Sequence, residues 1–402
     1  MSDQPVAARG SVGEVALAFL ALGLTSFGGP IAHLGYFHRE FVQRRRWLDD
    51  RQFGHLLGLC QFLPGPASSQ LGFSLGLLRA GWAGAVAAFI GFTLPSALLL
   101  LMFAQFSDRL AGPLGQAALH GLKLLAVAVV AQGVLGMART LAPDRPRAML
   151  ATAVAAGIVL SASAWTQLLV IGIGALVGLW IGPGLLARPQ PVLALGYGRR
   201  VGAVLLSTFG MLLALALALT TADRAPWLAQ AAAFYRTGAL VFGGGHVVLP
   251  LLKQAVVAPG WLSESDFLSG YGAAQAVPGP MFSLAAFLGD RLFDGRGGLL
   301  GAVIGVAAIF LPGLLLVAGA LPFWCALSGQ GAAARMLAGI NAAVVGLLAA
   351  ALYDPLWIGA VHDGGDFAIA VLAFGLLLAA RWPALVVASF CVLAALLRAL
   401  VH

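Results

Sequence analysis

Apolar runs dominate the chain, and short polar connections separate them. They fall at roughly 12–30, 54–78, 81–106, 118–138, 147–163, 165–187, 200–220, 229–249, 267–290, 297–322, 334–352, 365–380 and 383–401. Most are continuous and about 20 residues long, the length a helix needs to cross a hydrocarbon core of about 30 Å. They are not the alternating ten-residue segments of a transmembrane barrel. The pattern predicts an all-α polytopic membrane protein with thirteen candidate segments. The longest polar connection, about 35–53, holds Arg39, Arg44, Arg45, Arg46 and Arg51. Further Arg-rich clusters lie at 139–147 and 188–200. All three are expected on the cytoplasmic side, where short basic loops collect.

Composition narrows the picture. Of 402 residues only 9% are charged, 60% are hydrophobic, and mean hydropathy is +0.95. A soluble domain carries about 25% charged residues and must show water a polar exterior, so a soluble fold is excluded. The same composition excludes disorder. The net charge of +8 does not indicate nucleic-acid binding, because the arginines sit between apolar runs instead of sharing one helical face. Cys60, Cys325 and Cys391 lie far apart, with neither CxxC nor Cys/His spacing, and are read as small apolar helix residues. The polar first ten residues and the run from Val12 lack a small-residue cleavage site, so no removable signal peptide is expected.

An internal repeat organises the chain. FGGP at 27–30 recurs as FGGG at 242–245, an offset of 215. Trp47-Leu48 recurs as Trp261-Leu262, and QFLPGP at 61–66 as QAVPGP at 275–280, both at offset 214. GAV at 84–86 recurs at 301–303, offset 217, carrying Leu94-Pro95 onto Leu311-Pro312. Further along, Gly121 falls on Gly339 and Lys123 on Asn341, offset 218. One slowly drifting offset explains the series. The chain is divided accordingly into an N-terminal transport repeat (1–188), a linking helix with its loops (189–228) and a C-terminal repeat (229–402).

Two-fold repeats in many-helix membrane proteins are the architecture of secondary transporters, whose sites lie between the halves at broken helices. Pro64-Gly65-Pro66 and Pro278-Gly279-Pro280 interrupt apolar runs, since proline removes a donor and clashes while glycine frees the backbone. Such breaks survive in a bilayer only when buried in protein or lining a watery cavity. Gly28-Gly29 and Gly243-Gly244-Gly245 supply a second break in each half. After the first PGP come Ser68, Ser69 and Gln70. A half-helix starting there would aim its N–H groups and positive dipole end at the cavity, an anion site in outline. Gln61 and Gln275, three residues before each PGP, are candidate amide donors, and Ser283 is the one hydroxyl that follows the second PGP closely. The alternative for all these motifs is that glycine and proline only kink and pack helices.

These residues resemble a known family. FGGPIAHLGYFHREFVQRRRWLDDRQF (27–53), LCQFLPGPASSQLGFSLGLLRAG (59–81) and GFTLPS (91–96) look like the signature of the chromate transporter family, in its long two-domain form. FGGGHVVLP (242–250) with QAVPGP (275–280) resembles its C-terminal counterpart. The resemblance spans essentially the whole chain. It implies efflux of chromate across the bacterial inner (plasma) membrane, hence chromate resistance, with sulfate as the structural analogue. It also implies halves of opposite orientation. The second half departs from the first, with Gly245 for Pro30 and Met281-Phe282 for Ala67-Ser68. Its half-site is therefore less polar.

Charge favours inversion, because 250–266 carries Lys253 against Glu264 and Asp266, and 353–366 carries three Asp and no Lys or Arg. The count of crossings conflicts. A re-entrant 54–78 leaves six crossings before the second repeat and makes the halves parallel. A single broken crossing there gives seven and inverts them, but puts two Arg clusters outside. Inversion is preferred on the resemblance.

Among single residues, Arg39 aligns with Lys253 within one gap, and a cation there suits an oxyanion, against the reading of a topology determinant on a solvated loop. Lys123 and Asn341 are polar inside apolar helices, which marks function by default, although Lys123 can snorkel. His33 and His246, just past the FGG breaks, are candidate proton carriers or packed histidines. GIGALVG at 172–178 has no preceding strand and reads as helix packing, not a dinucleotide loop. No HExxH, matched carboxylate pair or GxxxxGK[ST] occurs, so neither an enzyme nor an ATP-driven pump is expected. The expected partners are chromate, with sulfate as analogue, the bilayer, and a second copy in a homodimer. No nucleic acid, metal or cofactor is expected. The competing functions are an uptake carrier for sulfate or another oxyanion, and an anion channel.

Overall fold

In the computed structural model the described residues are 10–27, 29–107, 112–160, 164–181, 195–219, 226–242, 248–324 and 331–401. They are helical throughout, with no strand among them.

The chain opens with a hairpin. α1 (Val12–Thr25) starts at Ser11, whose hydroxyl accepts from the Glu14 N–H, and stops at Ser26. α2 (Gly29–Phe37) continues as a π-helical stretch to Arg44. Phe19 of α1 lies 5.5 Å from Phe37 and stacks at 4.8 Å on Phe41, and near the α1 start Glu14 accepts from the Trp47 indole. The two arms are therefore antiparallel, with the FGG motif at the tip. A second hairpin follows. α3 (Asp50–Phe62) begins with an Asp49–Gln52 capping box, beside His38, which pairs with Asp50 at 2.7 Å. It ends at the PGP motif. The first part of α4 (Ala67–Ser107) then returns to Arg79, which pairs with Glu14 at 3.1 Å. Both hairpins thus enter and leave at one face.

At Gly81 a positive φ of 66° turns the chain, and the rest of α4 runs on toward the opposite face. α5 (Pro113–Leu141), α6 (Arg145–Leu160), α7 (Ala164–Ile181) and α8 (Arg199–Ala218) follow. The second half repeats the first: α9 (Pro226–Leu240), α10 (Val248–Leu252, then π-helix to Val257), α11 (Glu264–Ala276), α12 (Leu284–Gly295), α13 (Gly298–Ala320), α14 (Gly331–Ala351, prolonged to Ala360), α15 (Gly364–Leu378) and α16 (Ala384–Val401). α1, α2 and α3 correspond to α9, α10 and α11. The two parts of α4 correspond to α12 and α13, and α5, α6 and α7 to α14, α15 and α16. α8 has no counterpart among the described helices.

The halves are inverted. His362, just past the end of the α14 segment, stacks at 5.5 Å on His120 in the second turn of α5, so these equivalent helices run antiparallel. α15 then runs alongside α5 in the same sense, with contacts at His120–Asp366 (2.9 Å) and Gln132–Leu377 (3.3 Å). Each half lends its last two helices to the other: α6 and α7 pack on α14, while α15 and α16 pack on α5. Glycine lets these pairs approach closely, Gly174 and Gly178 against Gly339, and Gly121 against Cys391 and Val392.

This topology settles the conflict in the crossing count. The sequence predicts a crossing at 12–30, but α1 has only 14 residues, about 21 Å of helix, and its chain turns back. With both early segments re-entrant, the second part of α4 and α5–α8 make five passages before the second half, an odd number. Inversion and a shared face for the Arg clusters at 35–53 and 139–147 then hold together, and the described end of the third cluster, at Arg199 and Arg200, starts α8 on that face too. At the 139–147 loop, hydrogen bonds from the Arg147 guanidinium and backbone N–H hold the Asp144 carboxyl below the usual carboxylate range.

Candidate functional site where the hairpin tips meet

The PGP and FGG tips of the two halves interlock. Gly65 has φ +122° and Gly279 φ +104°, conformations that glycine adopts without strain. The Gly65 N–H donates to the Val241 carbonyl (2.7 Å), and the Gly279 N–H to the Ser26 carbonyl (2.9 Å). Val241 and Ser26 each immediately precede an FGG motif, so each PGP is stapled to the other half's FGG tip. The second staple layer is symmetric as well. Ser96 of α4 faces Gly279, while its counterpart Gly313 of α13 faces Gly65 and Pro66.

Within this symmetric frame the polar side chains differ. Ser283 exchanges a 2.7 Å hydrogen bond with Ser96, whose hydroxyl also lies 2.9 Å from the Thr93 carbonyl. Its counterpart Ser69 has no such partner: the residue matching Ser96 is Gly313, which has no hydroxyl, and the Ser69 Oγ is unpartnered. The Ser26 and Thr93 hydroxyls are also unpartnered. All three are buried, with Ser26, Ser69 and Thr93 no more than 3% exposed. Buried polar groups are nearly always hydrogen-bonded, so these three hydroxyls make the hairpin tips the candidate site. The first part of α4 starts here at Ala67, and the first-turn N–H groups of a helix lack intrahelical partners. They add a positive dipole end.

Several predicted site residues take specific places. Pro64 and Pro66 flank Gly65 in the first break, and Pro278 and Pro280 flank Gly279 in the second. Ser68 is buried beside Ser69. Gln70 is buried, but both its amide hydrogens are committed, to the carbonyls of Pro64 (2.9 Å) and Gly313 (3.1 Å). What it leaves open is an acceptor, Oε1. Gln70 therefore braces the break across the two halves and is not placed to donate to an anion. His33 is buried, its Nε2 3.2 Å from the Ser26 carbonyl and its ring edge-on to Phe92 at 5.3 Å. Gln275 is buried and donates to the Met281 sulfur at 3.2 Å, whereas Gln61 is exposed. Gly29 opens α2 directly after the first FGG turn. Gly28, Gly243, Gly244, Gly245 and His246 lie outside the described residues.

Arg39 and the Lys123 side chain lie away from the junction. Arg39 is exposed in the π-helical stretch at the open end of the first hairpin. Lys123 donates to Ser265 Oγ at 2.8 Å, at the start of α11. That is thirteen residues from Pro278, about 20 Å along a helix. Asn341, its counterpart on α14, is half-buried with Oδ1 unpartnered.

Sequence reasoning missed Ser26 and Thr93, although each adjoins a quoted motif, FGGP and GFTLPS. It also missed His55 of α3, buried with neither ring nitrogen hydrogen-bonded. Nothing in the spacing of α3 distinguishes that histidine.

Two inverted halves, joined by one helix and meeting at broken hairpins, define a multi-pass membrane protein of secondary-transporter architecture. The chain belongs to the chromate transporter family, which it matches in two regions, residues 13–179 and 228–397. It is 29% identical over 90% of its length to a probable chromate transport protein of Synechococcus elongatus, covering 89% of that protein. It is 29% identical to a chromate transport protein of Pseudomonas aeruginosa, over 84% of this chain and 79% of the other. A chromate transport protein of Cupriavidus metallidurans is 28% identical, over 84% and 81%. No solved structure matches the chain.

Proposed function

We propose that the protein exports chromate from the bacterial cytoplasm through the junction of the four hairpin tips, and so confers resistance. The observation that carries this reading is the set of unpartnered buried hydroxyls at the hairpin tips: Ser69 in the first turn of a half-helix, Ser26 at the end of α1 and Thr93 in the second part of α4. A tetrahedral dianion offers acceptors on every oxygen, so it satisfies hydroxyl and backbone donors together. Sulfate has the same shape and charge and competes. The first half, 1–188, supplies the more polar side of the site, and the second, 229–402, the stapling partner, with 189–228 between them. Arg39, exposed at the open end of the first hairpin, draws the anion to that mouth, whereas its counterpart Lys253 is held by Asp354 (2.6 Å) and Glu264 (3.0 Å); His33 is the candidate proton carrier for coupled exchange.

Orientation and energetics support export. The Arg-rich face is cytoplasmic by the distribution of basic loops. A charge moved across 100 mV gains about 2.3 kcal/mol, so a dianion leaving a negative interior gains about 4.6 kcal/mol, roughly a thousandfold in gradient. Export needs no further coupling, although proton antiport adds to it. Uptake would have to overcome the same term.

Flux in membrane vesicles tests the proposal. Inverted vesicles carrying the protein should accumulate chromate saturably when the lumen is made positive, with sulfate competing and counter-substrate accelerating exchange. Uptake of sulfate but not chromate into right-side-out vesicles would replace export with sulfate import, and unitary voltage-driven currents would mark a channel.

A further inference from the structure

At the face opposite the Arg clusters, two histidines and an aspartate from different halves come together. His120 lies in the second turn of α5, His362 in the turn before α15, and Asp366 in the first turn of α15. Their ligand-capable atoms all lie within 4.8 Å of one another. His120 Nε2 is 2.9 Å from Asp366 Oδ1, and His362 Nδ1 is 3.7 Å from Oδ2. Two donor atoms bound to one tetrahedral zinc at about 2.0–2.2 Å stand roughly 3.2–3.6 Å apart, close to the 3.7 Å from His362 Nδ1 to Oδ2, and His120, now on Oδ1, is within reach of the same ion. The two imidazoles stack at 5.5 Å with planes 18° apart.

The surroundings match a ligand role as well. Asp366 has a side chain 4% exposed, whereas His362 is 61% exposed, so the carboxylate is fixed at the base and the outer side is open to an entering ion. Arg398 of α16 is the apparent competitor, since its Nη1 donates to Asp366 Oδ1 at 2.6 Å. Its Nη2, however, holds both oxygens of Asp363, at 2.9 and 2.7 Å. Arg398 is thus anchored on a second carboxylate and contacts only one oxygen of Asp366. The other oxygen receives only the His362 backbone N–H, at 3.1 Å. Outer hydrogen bonds of this kind orient a ligating carboxylate.

The geometry points to a divalent transition-metal site, with His120, His362 and Asp366 Oδ2 as ligands and water in the open position. It would clamp α5 of the first half to α15 of the second, away from the hairpin junction. Two imidazoles and one carboxylate suit zinc or cobalt over magnesium or calcium.

Cobalt titration of the purified full chain, carrying no histidine tag, tests this site. Visible absorption of tetrahedral cobalt should saturate at one equivalent per chain, and zinc should displace it. His120→Gln and His362→Gln should each weaken cobalt binding at least tenfold. Their melting temperatures in chelator should match the wild type, and the melting-point increase that zinc gives the wild type should vanish. Arg398→Gln, which leaves all three ligands, should still bind. Equal cobalt binding by the His120→Gln/His362→Gln double variant, or no absorption band in a wild type that melts cooperatively, overturns the site and leaves the cluster an ion-pair clasp.

Discussion

At the scale of single residues, the symmetric backbone and the asymmetric side chains make separable predictions. Gly65→Ala and Gly279→Ala force a β-carbon into positive φ and, respectively, against Gln70 Nε2 at 2.9 Å and Ser96 Oγ at 2.8 Å. Each strained residue costs about 1–3 kcal/mol, and the staple to the other half is disturbed. Thermal unfolding should show both losses, with transport reduced at least tenfold. Gly81 has φ +66° and ψ −158°, a conformation essentially reserved to glycine, but open space around it, so Gly81→Ala should cost the backbone strain alone, about 1–3 kcal/mol, and spare transport. Ser69 and Ser283 form the second contrast. Ser69→Ala deletes an unpartnered hydroxyl, so stability should stay within about 0.5 kcal/mol while chromate flux falls tenfold or more. Ser283→Ala breaks the bond to Ser96 and should lower stability by about 1 kcal/mol. If Ser283→Ala abolished flux and Ser69→Ala were silent, the anion would sit on the second half's side.

At the scale of elements, much of the plan was legible. An ordered series of matches at one slowly drifting offset exposed the repeat, and Gly65 and Gly279 announced their breaks because only a residue without a β-carbon takes that φ freely. The hairpins were not legible. α1 and α2 share one apolar stretch interrupted by two glycines, and hydropathy does not distinguish a chain that continues from one that turns back. Only the packing of Phe19 on Phe37 and Phe41 makes the distinction. Likewise His120 and His362 are 242 positions apart in the sequence and meet only because the halves exchange their last helices. The hairpin topology predicts one labelling pattern in intact cells. With the native cysteines replaced, single cysteines at Arg46 and Ala142 should be unreactive to an impermeant reagent. Those at Pro259 and Asp363 should react. Reaction at Arg46 and Pro259 alike would make the halves parallel. Within the first hairpin, Arg44→Lys, Arg45→Lys and Arg46→Lys keep the charge that sets orientation and should transport normally. Arg39→Lys loses the planar fork that binds oxyanions and should impair flux with the labelling unchanged. Equal tolerance at all four would reduce Arg39 to a topology residue.

At the scale of the molecule, inversion explains why one sequence motif appears twice while its polar residues do not. A two-fold axis in the membrane plane presents equivalent hairpins to the two faces. On the proposed transport reading, alternating access requires only that one hairpin pair loosen its staple at a time. The staples are two backbone bonds, Gly65 to Val241 and Gly279 to Ser26, and the exchanged helices keep the halves together while either opens. On the proposed reading, selectivity rests on the side that departs from symmetry. There Ser69 is without a partner, whereas Ser283 is satisfied by Ser96. The central claim is therefore that a tetrahedral dianion completes the bonding of the junction. Calorimetric titration of chromate into purified protein measures this most directly, comparing wild type, Ser69→Ala and Arg44→Lys at one ionic strength. Chromate should bind the wild type and Arg44→Lys equally, and Ser69→Ala at least tenfold more weakly with its melting temperature unchanged. Undiminished chromate binding by Ser69→Ala would contradict the site.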